Sequence, residues 1–152
     1  MAHNALNDVL HPDRIKPRLS SDDKDGIIRE MIQILADAHA INDVAAAEQV
    51  VFEREKTMST GMENGIAIPH GKTDTVDCLV VSLGLKPEGV EFECADGQPA
   101  QIIVLTLSPA SRTGPHIRFM AGISKLLRTK DVRTRLLQCE TADEILDVLN
   151  RA

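Results

Sequence analysis

Two stretches, Cys78-Leu79-Val80-Val81-Ser82-Leu83-Gly84-Leu85 and Gln101-Ile102-Ile103-Val104-Leu105-Thr106-Leu107, are almost continuously apolar at strand length. A strand that is apolar on both faces must be covered on both, so these two belong in the middle of a sheet with helices above and below. Between them, Val90, Phe92 and Cys94 alternate with Glu91 and Glu93. That spacing predicts a strand wet on one face, near an edge. Asp96-Gly97 then predicts a tight turn that folds it back antiparallel onto the 101–107 strand. The sheet is therefore expected to be mixed.

The flanking segments supply the helices. Asp22 and Asp23 precede Ile27, Met31, Leu35 and Ala38, which recur at helical spacing. Asn42-Asp43 offers a cap for a second helix through Val44, Ala47, Val50, Val51 and Arg54, ending near Lys56. Pro115 suits the first turn of a third, which carries Ile117, Met120, Ile123 and Leu127. Val132, Leu136 and Leu137 mark a fourth. Thr141-Ala142-Asp143-Glu144 has the capping-box pattern ahead of Ile145, Val148 and Leu149. The expected fold is α/β, a single domain over 1–152 with a mixed β-sheet flanked by helices on both faces. Residues 1–19 form a weakly patterned N-terminal segment holding a short strand or turn.

Composition narrows the functions. Aromatic residues are 2% of the chain, with no Trp or Tyr, which argues against stacking platforms for sugars or single-stranded nucleic acid. The net charge of -6 comes with no dense Lys/Arg run to follow a phosphate backbone, so no nucleic acid partner is expected. Cys78, Cys94 and Cys139 lack metal-ligand or redox spacing and read as reduced thiols. No signal-peptide pattern or apolar run of membrane-spanning length is present. The expected location is cytoplasmic, without direct membrane insertion.

The residues with chemistry gather in Ser59-Thr60-Gly61-Met62-Glu63-Asn64-Gly65-Ile66-Ala67-Ile68-Pro69-His70-Gly71-Lys72. Ile66 to Ile68 reads as a buried strand that Pro69 ends by removing a backbone donor, leaving His70 at the strand's mouth. An imidazole is neutral enough near neutral pH to attack phosphorus. His70 is thus a candidate phosphoryl acceptor, or else a loop histidine with a structural hydrogen bond. His116, just after Pro115, would sit in a helix first turn, where free N–H groups and the dipole favour an anion over a protonated ring. Arg54 offers paired donors for phosphoryl oxygens, or is one of the solvated charges of Glu53-Arg54-Glu55-Lys56. Thr60 and Ser59 offer hydroxyls. No Walker loop, kinase glycine loop or G-x-S-x-G elbow occurs. No metal and no cofactor is expected.

Arg54-Glu55-Lys56, Ser59-Thr60-Gly61, the run Asn64 to Lys72, and His116 opening a later helix together resemble the fructose/mannitol-class enzyme IIA domain of the bacterial phosphotransferase system. The likeness is greatest to the free-standing, nitrogen-related regulatory members and runs from about the first helix to the end of the chain. It implies a phosphocarrier in which His70 is phosphorylated, His116 is the second active-site histidine and Arg54 is the motif arginine. It implies a phosphorylated HPr-type carrier protein as donor. The onward partner would be a regulatory target protein whose binding follows the phosphorylation state, or an enzyme IIB of a fructose/mannitol-type permease. A regulatory module that accepts no phosphate is the third alternative. Two departures stand out: Glu63 replaces a glycine common in the family, and Ile117 with Phe119 replaces leucines.

Overall fold

The computed structural model describes residues 9–152. Of the N-terminal segment, residues 1–8 lie outside that range. The rest forms a 3-10 turn, Pro12–Arg14, and a two-residue strand β1, Ile15–Lys16. Two helices follow, α1 at Lys24–Asp37 and α2 at Val44–Thr57. Each starts where an aspartate accepts a backbone N–H of the first turn, Asp23 from Gly26 and Asp43 from Ala46. Then come β2 (Ile66–Ala67), β3 (His70–Lys72), β4 (Val80–Val90) and β5 (Ala100–Ser108). The chain ends with α3 (Gly114–Arg128), α4 (Lys130–Leu137) and α5 (Ala142–Arg151), the last with the expected Thr141/Glu144 capping box.

The sheet runs β1-β4-β5-β2, with β3 also on β5. β4 and β5 are antiparallel and central, while β1, β2 and β3 pair in parallel. This is the mixed sheet expected from the two apolar runs. Alternate residues of β5 part company. Ile102 and Val104 pack with α3, α4 and α5 on one face; Ile103, Leu105 and Leu107 pack with α1 and α2 on the other.

Two expectations are corrected. Residues 91–94 are not a strand: β4 runs on to Val90, which pairs with Ala100, so the antiparallel partner of β5 is β4 itself. Phe92 and Cys94 are buried as the alternation implied. Glu93, however, takes φ 56, which breaks the extended run. Second, Pro69 interrupts pairing without ending it. Its carbonyl accepts the Thr106 N–H at 3.1 Å, and His70 resumes the ladder opposite Thr106. A proline removes only a donor, so its acceptor can still carry the register across.

β1 is held by Glu30 of α1. Its carboxylate meets the Lys16 ammonium at 2.6 Å and accepts the N–H groups of Ser20 and Ser21. Burial alone would raise its pKa, but Lys16 and the two amides outweigh it and hold the group at about 2. A depressed carboxylate pKa contributes stability above the unfolded value of 4.5 and loses it as pH falls toward 2. With Lys16 partly exposed, the contribution is about 2 kcal/mol. Urea titrations of wild type and Glu30→Gln should differ by that amount at pH 7 and converge near pH 2; a constant gap across that window would refute the assignment.

Candidate functional site

The segment ahead of His70 folds on itself. Thr60 to Met62 lie antiparallel to Ile66 to Ile68, with Met62 N–H donating to Ile66 O at 2.7 Å and Ile68 N–H to Thr60 O at 3.1 Å. Asn64 and Gly65 close the turn at φ 64 and 77, the left-handed pair that a two-residue hairpin turn demands. The hairpin leaves β2 buried between the 60–62 segment and β5. On the opposite face α2 presses against the strand end: a Cβ on Gly71 would meet Val50 Cγ2 at 2.6 Å, so only glycine permits this approach.

His70 is half-buried on β3, and its Nδ1 lies 3.0 Å from the Ile68 carbonyl oxygen. A carbonyl can only accept, so Nδ1 carries the proton and Nε2 keeps the lone pair. His116 arrives from the other side, in the first turn of α3 and 9% exposed. The two ring centroids are 5.6 Å apart, with the planes tilted by 44°. Burial, then the electrostatic influence of His70 and Lys72, hold the His116 pKa below its ordinary value, which favours the neutral imidazole. Thr113, the residue capping α3, makes no side-chain bond to the helix start, leaving first-turn N–H groups beside His116 open to an anion.

The other expected site residues have different partners. Thr60 is 7% exposed, its hydroxyl donates to Glu55 Oε2 at 2.6 Å, and its N–H donates to Glu55 Oε1 at 2.8 Å. Arg54 donates from Nη1 to the Met58 carbonyl at 2.8 Å, at the exposed end of α2. Ser59 donates to Phe92 O at 2.7 Å. The structure thus brings together His70 and His116 and ties Arg54 and Thr60 to neighbouring chain. Among the described residues, no group of three His, Cys, Asp or Glu side chains comes together that could hold a metal ion.

Three contributors went unread in the sequence. Glu55 organises the loop through Thr60 and through Lys24, whose ammonium is 3.0 Å away. The Ile68 carbonyl orients His70. Thr106, fully buried, lies 3.5 Å from His116 Nδ1 through Oγ1. Thr106 had a signal: it is the lone hydroxyl within the apolar run 101–107, and a buried polar group needs a partner. A carbonyl has none. Glu63 is exposed on the hairpin and lines a cavity of about 560 Å³ with Met58, Met62, Ile66, Ser124 and Arg128.

A central mixed sheet with two imidazoles meeting beneath a helix start defines a domain suited to handling a small anion. Comparison with known families makes that specific. Residues 8–152 match the family model described as "Phosphoenolpyruvate-dependent sugar phosphotransferase system, EIIA 2". The chain belongs to this family of phosphotransferase-system components. It is 33% identical over 146 residues to the fructose-specific EIIABC component of Bacillus subtilis, covering 96% of this chain but 23% of that protein. It is 31% identical over 144 residues to a nitrogen regulatory protein of Bradyrhizobium diazoefficiens, covering 95% of this chain and 94% of that one. The crystal structure of nitrogen regulatory protein IIA-Ntr from Neisseria meningitidis superposes with a TM-score of 0.87 at 26% identity, over 95% of this chain and 98% of that chain. Among the described residues, no helix is long and apolar enough to cross a membrane.

Proposed function

We propose that the protein is a cytoplasmic histidine phosphocarrier: Nε2 of His70 takes a phosphoryl group from a phosphorylated HPr-type carrier protein, and the phosphorylated form then acts on a regulatory partner protein. The observation that carries this reading is the 3.0 Å contact of His70 Nδ1 with Ile68 O, which commits the ring proton and frees the Nε2 lone pair. In the transfer, that lone pair forms the new N–P bond while the donor histidine's N–P bond breaks and returns its electron pair to the donor ring. No proton has to move, because each ring keeps its other N–H throughout. The Ile68 carbonyl dipole offsets the positive charge that the His70 ring acquires.

Such a transfer asks for alignment and charge stabilisation more than for acid–base work. His116 and the open N–H groups at the start of α3 supply donors for the phosphoryl oxygens. Arg54 completes the set. It sits one turn beyond Val50, which packs on Gly71, and among the described residues its one hydrogen bond is to the exposed Met58 carbonyl. Thr60 serves through the hairpin it anchors. Ile117 beside His116 is 62% exposed and Met58 is 69% exposed, apolar surface that fits a protein donor better than a small polar one.

The test is incubation with phosphoenolpyruvate, enzyme I and HPr, followed by intact mass measurement. A gain of one phosphoryl group, labile in acid, is expected; an unchanged mass would overturn the proposal in favour of a non-phosphorylated module. Adding a fructose-type IIB domain to the labelled protein separates the two destinations. Retention of label supports a regulatory carrier, and rapid loss supports the sugar-transport reading, which the fructose-specific relative motivates. His116→Ala should remain folded and accept phosphoryl roughly 100-fold more slowly, the usual cost of removing one preorganised donor. Unaltered kinetics would remove His116 from the site.

A further inference from the structure

The side chain that decides how His116 behaves comes from the sheet. Thr106 stands directly opposite His70 in the β3–β5 register, and its N–H donates to the Pro69 carbonyl just ahead of His70. Its hydroxyl is fully buried, and the only hydrogen-bond partner of Oγ1 among the described residues is His116 Nδ1, at 3.5 Å. One residue therefore touches the chain on both sides of the site. Its backbone holds the strand that presents the first histidine, and its side chain meets the second.

The contact can be made in two ways. If His116 Nδ1 carried the proton and donated to Oγ1, the threonine's own hydrogen would be left buried without an acceptor. If the hydroxyl donates to Nδ1, that hydrogen is satisfied and only oxygen lone pairs go unfilled. Buried proteins tolerate unfilled lone pairs more readily than an orphaned donor. The second arrangement wins, and it puts the His116 proton on Nε2.

We propose that Thr106 is a positioning residue that holds His116 in its Nε2–H tautomer, making it a neutral hydrogen-bond donor to the phosphoryl group carried by His70. The inference rests on the phosphocarrier reading for its functional half. The two histidines then present opposite faces to the reaction. By accepting from Nδ1, Ile68 O holds the His70 proton there and leaves Nε2 free to attack; by donating to Nδ1, Thr106 keeps the His116 proton on Nε2, where it can bind oxygen. In the reverse tautomer His116 would offer a lone pair to phosphoryl oxygens and repel them. The 3.5 Å separation is at the long end for a hydrogen bond.

The tautomer can be read directly in the unphosphorylated protein. Long-range proton–nitrogen correlation spectra of 15N-labelled protein near neutral pH should show His116 protonated on Nε2. Thr106→Val, close in shape but lacking the hydroxyl, leaves Nδ1 without its donor, so the Nδ1 resonance should move toward that of an unbonded imidazole nitrogen, the ring should lose its fixed orientation, and phosphoryl uptake should slow about tenfold, the value of one hydrogen bond. Thr106→Ser should restore the resonance and the rate. Wild-type His116 protonated on Nδ1 would overturn the proposal before any variant is made. So would a valine variant that transfers slowly with its Nδ1 resonance unchanged, which is what a purely structural role produces. An Nδ1 resonance that follows the hydroxyl in a protein that takes up no phosphoryl would support the positioning role and count against the phosphocarrier reading alone.

Discussion

Replacing His70 with alanine is expected to reduce phosphoryl uptake to background while leaving the fold intact. The imidazole is half-buried at the end of an edge strand, and its one hydrogen bond runs to the Ile68 carbonyl two residues away. Losing that bond costs about 1 kcal/mol or less. Among the described residues the chemistry has no substitute. His116 has Nδ1 turned to Thr106, and His11 and His39 lie away from the strand end, on the 3-10 turn's start and in the turn after α1. Intact mass measurement after incubation with phosphoenolpyruvate, enzyme I and HPr should show the wild type shifted and the variant unshifted. A urea midpoint lowered by no more than the worth of that one bond would confirm that the loss is chemical. A variant that still gains phosphoryl would move the acceptor elsewhere and take the mechanism with it.

Glu55→Ala should produce the largest loss of stability of any substitution considered, about 3 kcal/mol, together with slower transfer. The Glu55 side chain is 6% exposed and meets three donors: Lys24 Nζ at 3.0 Å, Thr60 N at 2.8 Å and Thr60 Oγ1 at 2.6 Å. Burial alone would raise its pKa, but the Thr60 bonds and the Lys24 charge outweigh it and keep it below the ordinary carboxylate value. For Lys24, burial pulls down while Glu55 and Glu93 push harder the other way, so its pKa is raised. Removing the carboxylate takes the nearer counter-charge from a mostly buried ammonium, which keeps Glu93 at 3.3 Å and Ser59 Oγ at 3.4 Å, and leaves two threonine donors without an acceptor, which is why truncation costs more than the pair contributes.

The functional consequence of Glu55 travels through backbone. Glu55 fixes Thr60, Thr60 O accepts the Ile68 N–H, and Ile68 O accepts the His70 proton. A loosened hairpin therefore lets the imidazole turn. Urea titration and transfer rates should both fall in Glu55→Ala, with Glu55→Gln intermediate because its amide oxygen can still accept from Thr60. An unchanged urea midpoint in the alanine variant would exclude this role. The stabilisation belongs above the unfolded carboxylate pKa of 4.5 and is lost on acidification.

Much of this molecule was legible in residue order. The two apolar runs placed β4 and β5 at the centre, and Asp23, Asp43 and Thr141 marked helix starts because capping is a local contact between a side chain and its own first turn. Residues 91–94 misled because alternation reports burial, and burial does not require a ladder partner; Phe92 is fully buried without one. Pro69 misleads because a missing donor leaves the carbonyl free to accept, and that carbonyl takes the Thr106 N–H. Asn64-Gly65 carried a hairpin signal that stood unread inside the loop.

The sequence by itself determined the sheet's interior, the helix boundaries, the family, and the two histidines that face each other across 5.6 Å. Only the tertiary structure decided what those histidines can do. Their proton positions follow from Ile68 O and Thr106 Oγ1, and the commitments of Thr60 and Arg54 follow from Glu55 and the Met58 carbonyl. The reason is physical. Local patterns of polarity and capping are written in side-chain identity, whereas a tautomer is set by whichever group lies against the other ring nitrogen, and that group is brought there by strand register and backbone path.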